Sequence, residues 1–141
     1  MALEAKLSLE NKMYIVQDLD YEITQPISNN YKPSGIPEGG LINFTIISPK
    51  REDNTFYKWI LNIGEKKEGY FKIPIIENNI EHREKELCFE YAYCIGLREV
   101  FSCSNGLQTY MHITICAAYI GWGSYSDRVW FTNRGLTKRI K

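Results

Sequence analysis

Three acidic side chains alternate along one predicted strand, and theirs is the first spacing in the chain that could support chemistry. Asp18, Asp20 and Glu22 lie two residues apart, so a strand would direct all three carboxylates to one face, where they could converge on a calcium ion. Acidic residues on an exposed strand face are more often simply solvated. We interpret them as a solvated face, and a small enzyme using these residues and the loop that follows is the less favoured alternative.

The histidines and cysteines do not form a recognisable catalytic or metal-binding pattern. His82 falls in a polar segment predicted to be a turn, and His112 lies on a strand opposite its apolar face. The cysteines have neither a C-x-x-C pair nor zinc-site spacing, and their apolar neighbours raise a thiol pKa. They are Cys88, Cys94, Cys103 and Cys116. The sequence predicts reduced, mostly buried thiols, no cofactor or metal, and a protein that is not an enzyme.

The charges of the chain are balanced, with 17 basic and 17 acidic residues among 141. A balanced chain has no overall field that attracts nucleic acid or an anionic membrane, so we expect partners to be recognised by shape. The N-terminal segment MALEAKLSLENK alternates charged and apolar residues and has no apolar run. We therefore expect no signal peptide, no membrane insertion, and synthesis in the cytoplasm.

Hydrophobic alternation predicts a mainly β chain with six or seven strands. The predicted strands cover residues 3–9, 13–25, 41–48, 69–76, 85–101 and 107–118. In the second strand the alternation assigns one shared face to Met13, Ile15, Leu19, Tyr21 and Ile23. In the fifth it assigns one shared face to Leu87, Phe89, Tyr91, Tyr93, Ile95 and Leu97, with Gly96 a candidate for a β-bulge.

One short helix interrupts the strands. Asp53 or Asn54 can cap its start, and Gly64 should end it. The helical i, i+3, i+4, i+7 spacing predicts one apolar stripe that packs on an open end or edge of the sheet. The stripe consists of Phe56, Trp59, Ile60 and Ile63. An aromatic ligand-binding box is the alternative interpretation of the same residues.

A long loop from Gln25 to Gly40 separates two strongly alternating strands. It holds three of the chain's five prolines and three of its ten glycines, which prevent both a helix and extended strand pairing. A stiff segment loses little entropy on docking, so we predict a shaped arm that contacts another molecule; a tolerated surface insertion is the alternative. The predicted contact residues are Gln25, Pro26, Asn29, Asn30, Tyr31, Lys32, Pro33, Ser34, Gly35, Ile36, Pro37, Glu38, Gly39 and Gly40.

The C-terminal segment, residues 119–141, loses the strand alternation and is both aromatic and basic. We interpret it as an extension of a single domain that spans residues 1–141. Its aromatic half should fold back on its own domain or on a neighbouring subunit, while its basic end reaches an acidic partner. A last strand followed by a frayed, solubilising end is the alternative. The predicted contact residues of this tail are Trp122, Arg128, Trp130, Phe131, Arg134, Lys138 and Arg139.

Seven local patterns, in order, resemble the TssD branch of the Hcp family, the tube proteins of type VI secretion systems. They are ALEAKLSLENKMYIV, DYEITQ, PSGIPEGGLINFTI, FYKWI, GYFKI, LCFEYAYCIGLREVF and MHITICAA, and together they cover residues 2–118. The resemblance implies a small β-barrel of two packed sheets with one short helix at its side. It also implies hexameric rings, because members of the family close into rings and stack into a hollow tube.

In that family the loop between the second and third strands reaches the neighbouring ring, a role that the resemblance assigns to residues 25–40. The tube is assembled in the cytoplasm inside a contractile sheath, under a spike protein, and is expelled without a signal peptide, with effectors held in its lumen. For the basic end of the tail, the sheath, the spike or an effector is then the expected acidic partner.

A monomeric ligand-binding β-barrel is the alternative from a different class. It would use an aromatic interior formed by Tyr91, Tyr93, Phe101 and Tyr110. The oligomeric state separates the two functions, because a ligand-binding barrel does not require a ring.

Overall fold

The computed structural model describes residues 4–77, 81–102, 108–123 and 126–137. Strands dominate it, as the alternation predicts. The elements are β1 (Ala5–Leu9), β2 (Lys12–Tyr21), β3 (Leu41–Ile47), α1 (Thr55–Leu61), β4 (Lys67–Glu77), β5 (Glu81–Ser102), β6 (Gln108–Trp122), β7 (Val129–Thr132) and α2 (Arg134–Thr137). None of the helices in this described part is long and apolar enough to cross a membrane.

Six of the strands close into an antiparallel barrel. They follow the order β3-β2-β1-β4-β5-β6, and a further pairing of β3 with β6 closes the sheet on itself. The seventh strand, β7, pairs with the end of β6, from Tyr119↔Thr132 to Trp122↔Val129. The prediction of a mainly β barrel with one helix packed on it is confirmed. Closure leaves these six strands without the open edges that promote uncontrolled pairing.

Aromatic and aliphatic side chains fill the interior of the barrel. Phe44, Phe71 and Phe89 lie in a row, with ring centroids 5.1 Å apart for the first pair and 5.7 Å for the second. Leu7 and Ile42 are fully buried beside them. The inside is therefore a packed core.

The face predicted for β2 is wrong in its first half. Tyr14 and Val16 point into the core, whereas Met13 is exposed and Ile15 is half-buried. A β-bulge between Val16 and Asp18 shifts the register by one residue, so that Leu19 and Tyr21 beyond it pack against the core as predicted. One extra residue in a strand exchanges its two faces, which explains the error.

The face predicted for β5 is also wrong in its middle. Leu87 and Phe89 are buried as predicted, but Tyr91 has a φ of 51° and is exposed, and Ala92 and Cys94 take the inward positions. Ile95 is exposed. A β-bulge between Cys94 and Gly96 then shifts the register, and Leu97 beyond it packs against the core as predicted. The bulge at Gly96 is confirmed.

These shifts remove the aromatic interior that a ligand-binding barrel would need. Tyr91 is exposed and Phe101 is 70% exposed. Tyr93 and Tyr110 are only half-buried. The four aromatic residues assigned to a ligand cavity thus do not line the packed interior.

Helix α1 buries most of the predicted stripe but not its last member. Phe56 and Trp59 are buried and Ile60 packs against the core, whereas Ile63 is 99% exposed. The helix ends at Leu61 and its C-cap Asn62 is extended (φ −96°, ψ 97°), so Ile63 no longer follows the helical spacing. At the start of the helix the N-cap residue is Asn54, whose side chain makes no capping hydrogen bond, while the Thr55 amide donates to the Asp53 carboxylate at 3.1 Å.

Two strand boundaries extend beyond the prediction. β4 and β5 form one long hairpin whose last pair is Glu77↔Glu81, so His82 belongs to a strand and the prediction of a turn there is wrong. β6 continues past Ala118 to Trp122, so the tail begins inside a barrel strand.

Three residues singled out in the sequence, Cys103, Lys138 and Arg139, lie outside the described residues.

Candidate functional site

The arm between β2 and β3 is anchored by a pair of backbone hydrogen bonds at its base. The Thr24 amide donates to the Glu38 carbonyl at 2.8 Å, and the Glu38 amide donates to the Thr24 carbonyl at 2.6 Å. Gly40 follows with φ 109°, and a Cβ there would lie 2.4 Å from Nδ2 of Asn133. A glycine at this position lets the arm re-enter the barrel beside the tail.

The arm folds back on itself instead of hanging as an open loop. The Ser34 amide donates to the Pro26 carbonyl at 2.8 Å, and the Ser28 amide donates to the Lys32 carbonyl at 2.8 Å. At the tip, the Tyr31 amide donates to the Ser28 carbonyl at 3.0 Å, and Tyr31 has a φ of 64°. These bonds give the arm a defined shape before it meets a partner, which lowers the entropy lost on docking.

Apolar side chains on the arm face solvent. Tyr31 is 84% exposed, Ile27 is 58% exposed, and Ile36 is exposed as well. All the predicted arm residues are exposed except Gly39, which is half-buried, and Gly40, which is buried. Large apolar groups held out in solvent on a shaped segment are typical of a contact surface.

The acidic residues of β2 lie on the outer face of the barrel next to the arm. Asp18, Asp20 and Glu22 are exposed, and Nδ2 of Asn43 donates to the Asp20 carboxylate at 3.1 Å. Asp20 and Glu22 line a hollow under the arm together with Glu38. No group of three or more potential metal-ligating side chains occurs among the residues that the structure describes.

A second surface lies at the opposite end of the same two strands. There the start of β2 and the segment after β3 enclose a cleft of about 570 Å³. Its apolar lining comes from Met13, Ile15, Ile47 and Pro49, and Lys12 and Lys50 also line it. The sequence does not reveal this cleft, because its walls are more than 30 residues apart along the chain and Met13 and Ile15 face it only because of the bulge in β2.

A hydrogen-bonded cluster around Asp53 forms part of the wall of this cleft. The Tyr14 hydroxyl donates to Asp53 at 2.7 Å, the Thr55 hydroxyl donates to it at 2.6 Å, and Nζ of Lys12 lies 3.3 Å away. Burial by itself would raise the pKa of the Asp53 carboxyl, but the hydrogen bonds from Thr55, Tyr14 and Lys12 outweigh it and lower the pKa to about 2. Burial, more than the nearby carboxylate, raises the pKa of Tyr14 above its ordinary value.

We expect Asp53→Asn to reduce the free energy of unfolding at pH 7 by about 1–2 kcal/mol, after allowance for solvent screening. The pKa of Asp53 is lower in the folded chain than its ordinary value of 3.8, so its contribution is present above that value and is lost as the pH falls toward 2. Denaturant unfolding of both proteins between pH 7 and pH 2 should show the difference closing below pH 4. Glu52→Gln, at an exposed neighbouring position, is the control, and a difference that stays constant across this range would contradict the assignment.

The tail is divided between buried and exposed residues. Nε1 of Trp122 donates to the Tyr21 hydroxyl at 2.8 Å at the arm end of the barrel, and Phe131 is buried on the barrel wall. Arg128 pairs with Glu86 at 2.9 Å and lies over the ring of Trp130, 5.8 Å from its centroid. Trp130 and Arg134 are exposed, so these two of the predicted contact residues can meet a partner.

The cysteines and His112, which the sequence offers as possible reactive or metal-binding groups, have structural positions. Cys88 and Cys94 are free and buried, and Cys116 is free and half-buried. Burial raises the pKa of Cys94 to about 11, which makes it an unreactive thiol. Nδ1 of His112 lies 2.7 Å from the Thr45 hydroxyl on the outer face, so this histidine has a structural hydrogen-bond partner.

The sequence and the fold were compared with those of known proteins, and both match one protein family. The family model described as "Hemolysin coregulated protein Hcp (TssD)" matches residues 1–128. No curated protein sequence matches the chain significantly. Many solved structures do match, and three of them illustrate how similar the folds are.

Hcp1 from Flavobacterium johnsoniae has a TM-score of 0.75 and 24% sequence identity, over 93% of this chain and 100% of the other. The Hcp1 protein from the E. coli EAEC 042 pathovar has a TM-score of 0.72 and 15% identity, over 93% of this chain and 99% of the other. The secreted protein Hcp3 from Pseudomonas aeruginosa has a TM-score of 0.64 and 9% identity, over 93% and 98%. At these identities the likeness concerns the fold.

Proposed function

The chain belongs to the Hcp (TssD) family, and from that membership we propose that it closes into hexameric rings which stack into the inner tube of a type VI secretion system. It is a structural subunit of that tube, and proteins of this family are secreted by the type VI machinery. The family is one of structural proteins and not of enzymes.

One observation carries the proposal for this chain: the arm is both exposed and held in shape. Tyr31 and Ile27 are presented to solvent on a segment that is fixed by hydrogen bonds at its base and its tip. In a monomer the apolar side chains of this segment stay in water, whereas in a stack of rings they can be buried against a second copy. The arm is therefore assigned to the contact between rings.

The test of this function is export that depends on sheath contraction. A tagged chain should appear outside cells with a working type VI system and stay inside cells whose sheath cannot contract. Equal release from both kinds of cell would overturn the proposal. The spike protein at the tip of the tube, the surrounding sheath and effectors in the lumen are the further partners that we propose.

The basic end of the tail is proposed to meet an acidic surface of one of these partners. Deleting residues 138–141 removes two lysines and one arginine but leaves β7 intact. We expect the truncated chain to form rings and to lose export or effector association in a salt-sensitive way, because exposed charges act through screened attraction. Co-purification at low and high salt measures this, and unchanged association at both would limit the segment to a solubilising role.

A further inference from the structure

The two ends of the β2–β3 hairpin carry surfaces of complementary character. The arm and its acidic hollow lie where β2 ends and β3 begins, and the apolar cleft lies where β2 begins and β3 ends. β2 has 10 residues, so the two surfaces are about 30 Å apart along the strands at about 3.3 Å per residue. A subunit with a projection at one end and a recess at the other can join copies in one direction without limit.

The charges of the two ends are also opposite. The hollow under the arm is lined by Asp20, Glu22 and Glu38, and no lysine or arginine lines it. Lys32 lies on the arm itself, and Arg134 follows β7. The carboxylates of Glu22 and Glu38 are thus placed on an exposed surface of mainly negative charge.

At the cleft end, a turn after β3 projects two cations. Lys50 and Arg51 are exposed, and neither forms an ion pair with any residue in the described ranges. Glu52 follows them, and the charge of Asp53 is already matched by Lys12. This turn borders the cleft, just as the acidic hollow borders the arm.

Building on the proposed tube function, we propose that the partner of the arm is the cleft end of a copy in the next ring. The basic turn Lys50–Arg51 enters the acidic hollow under the arm, and the apolar tip around Tyr31 lies in the cleft formed by Met13, Ile15, Ile47 and Pro49. The apolar part supplies buried area, and the charged part sets the direction of stacking and excludes head-to-head contacts.

Charge exchange between the two ends tests this pairing. Rings of Glu22→Lys/Glu38→Lys have two basic ends, and rings of Lys50→Glu/Arg51→Glu have two acidic ends. We expect each to stack at least about tenfold more weakly than the wild type at low ionic strength, measured by light scattering and electron microscopy. Mixing the two should restore tubes in which the variants alternate, and a chain with all four substitutions should stack with itself.

A control and two contrary outcomes complete the test. Glu68→Lys changes an exposed carboxylate on β4 outside both surfaces and should stack as the wild type does. Stacking of either double variant at the wild-type level, or no recovery in the mixture and the fourfold variant, would overturn the pairing. Native mass spectrometry of each variant shows independently whether it still forms rings. A wild-type chain that forms no rings would contradict the proposed function, whereas rings that fail to pair as described would contradict only the pairing.

Discussion

Replacing Trp59 with alanine is expected to lower the free energy of unfolding by about 3–5 kcal/mol. Trp59 is 1% exposed, and its Nε1 donates to the Glu65 carbonyl at 3.1 Å. The ring lies 6.2 Å from that of Phe56, centroid to centroid, and Nζ of Lys67 lies over it at 5.9 Å. Alanine would leave a cavity under α1, and the loop after the helix would lose its hydrogen bond.

Chemical denaturation of the isolated subunit measures this change. Leu61→Ala is the matched control, since it removes a large side chain from the same helix at a position that is 79% exposed, and it should change stability by no more than about 0.5 kcal/mol. Equal stability of Trp59→Ala and the wild type would show that the indole does not hold α1 on the barrel. Loss of binding to a small molecule instead would favour the aromatic ligand-binding box.

Replacing residues 27–36 with a short Gly/Ser linker is expected to abolish tube formation and to leave single rings intact. The exchange removes the exposed Ile27, Tyr31 and Ile36 but keeps the backbone pair of Thr24 and Glu38 at the base of the arm. The arm contributes little to the core, so the free energy of unfolding should change by less than about 1 kcal/mol.

Electron microscopy of wild-type and arm-replaced protein at equal concentration distinguishes rings from tubes. The single variant Tyr31→Ala is a useful companion, because it keeps the backbone of the arm and removes the most exposed aromatic side chain. We expect it to weaken stacking without abolishing it. Disappearance of the rings themselves in the replaced protein would place the arm inside a ring.

The positions of the strands and of the helix could be predicted from the sequence, because alternation and the i, i+3, i+4 spacing are local signals. The choice of inward face could not. A single extra residue between Val16 and Asp18 places Tyr14 inside and Met13 outside, and the positive φ of Tyr91 similarly displaces the aromatic alternation of β5. No residue type at the first of these positions marks a bulge, whereas Gly96 does mark the one after Cys94.

The arm could be predicted as a contact surface, but the surface opposite it could not. The prolines and glycines of residues 25–40 are a local signal of a shaped loop, and the structure adds the folded-back hydrogen bonds and the exposed Tyr31. The cleft brings residues 12–15 together with residues 47–53, which only the closed sheet determines. Asp53 and Asn54 are both candidate helix caps in the sequence, while the bonds of Asp53 to Tyr14 and Lys12 depend on the same closure.

The mass of the purified native particle tests the central claim most directly. A chain of 16.5 kDa that closes into a hexamer should give a particle of six times that mass, about 99 kDa, in native mass spectrometry at micromolar concentration. Because rings are closed, we expect this hexamer together with stacks of two or more hexamers, and no series of oligomers with an odd number of subunits. A strictly monomeric particle of 16.5 kDa under the same conditions would contradict it.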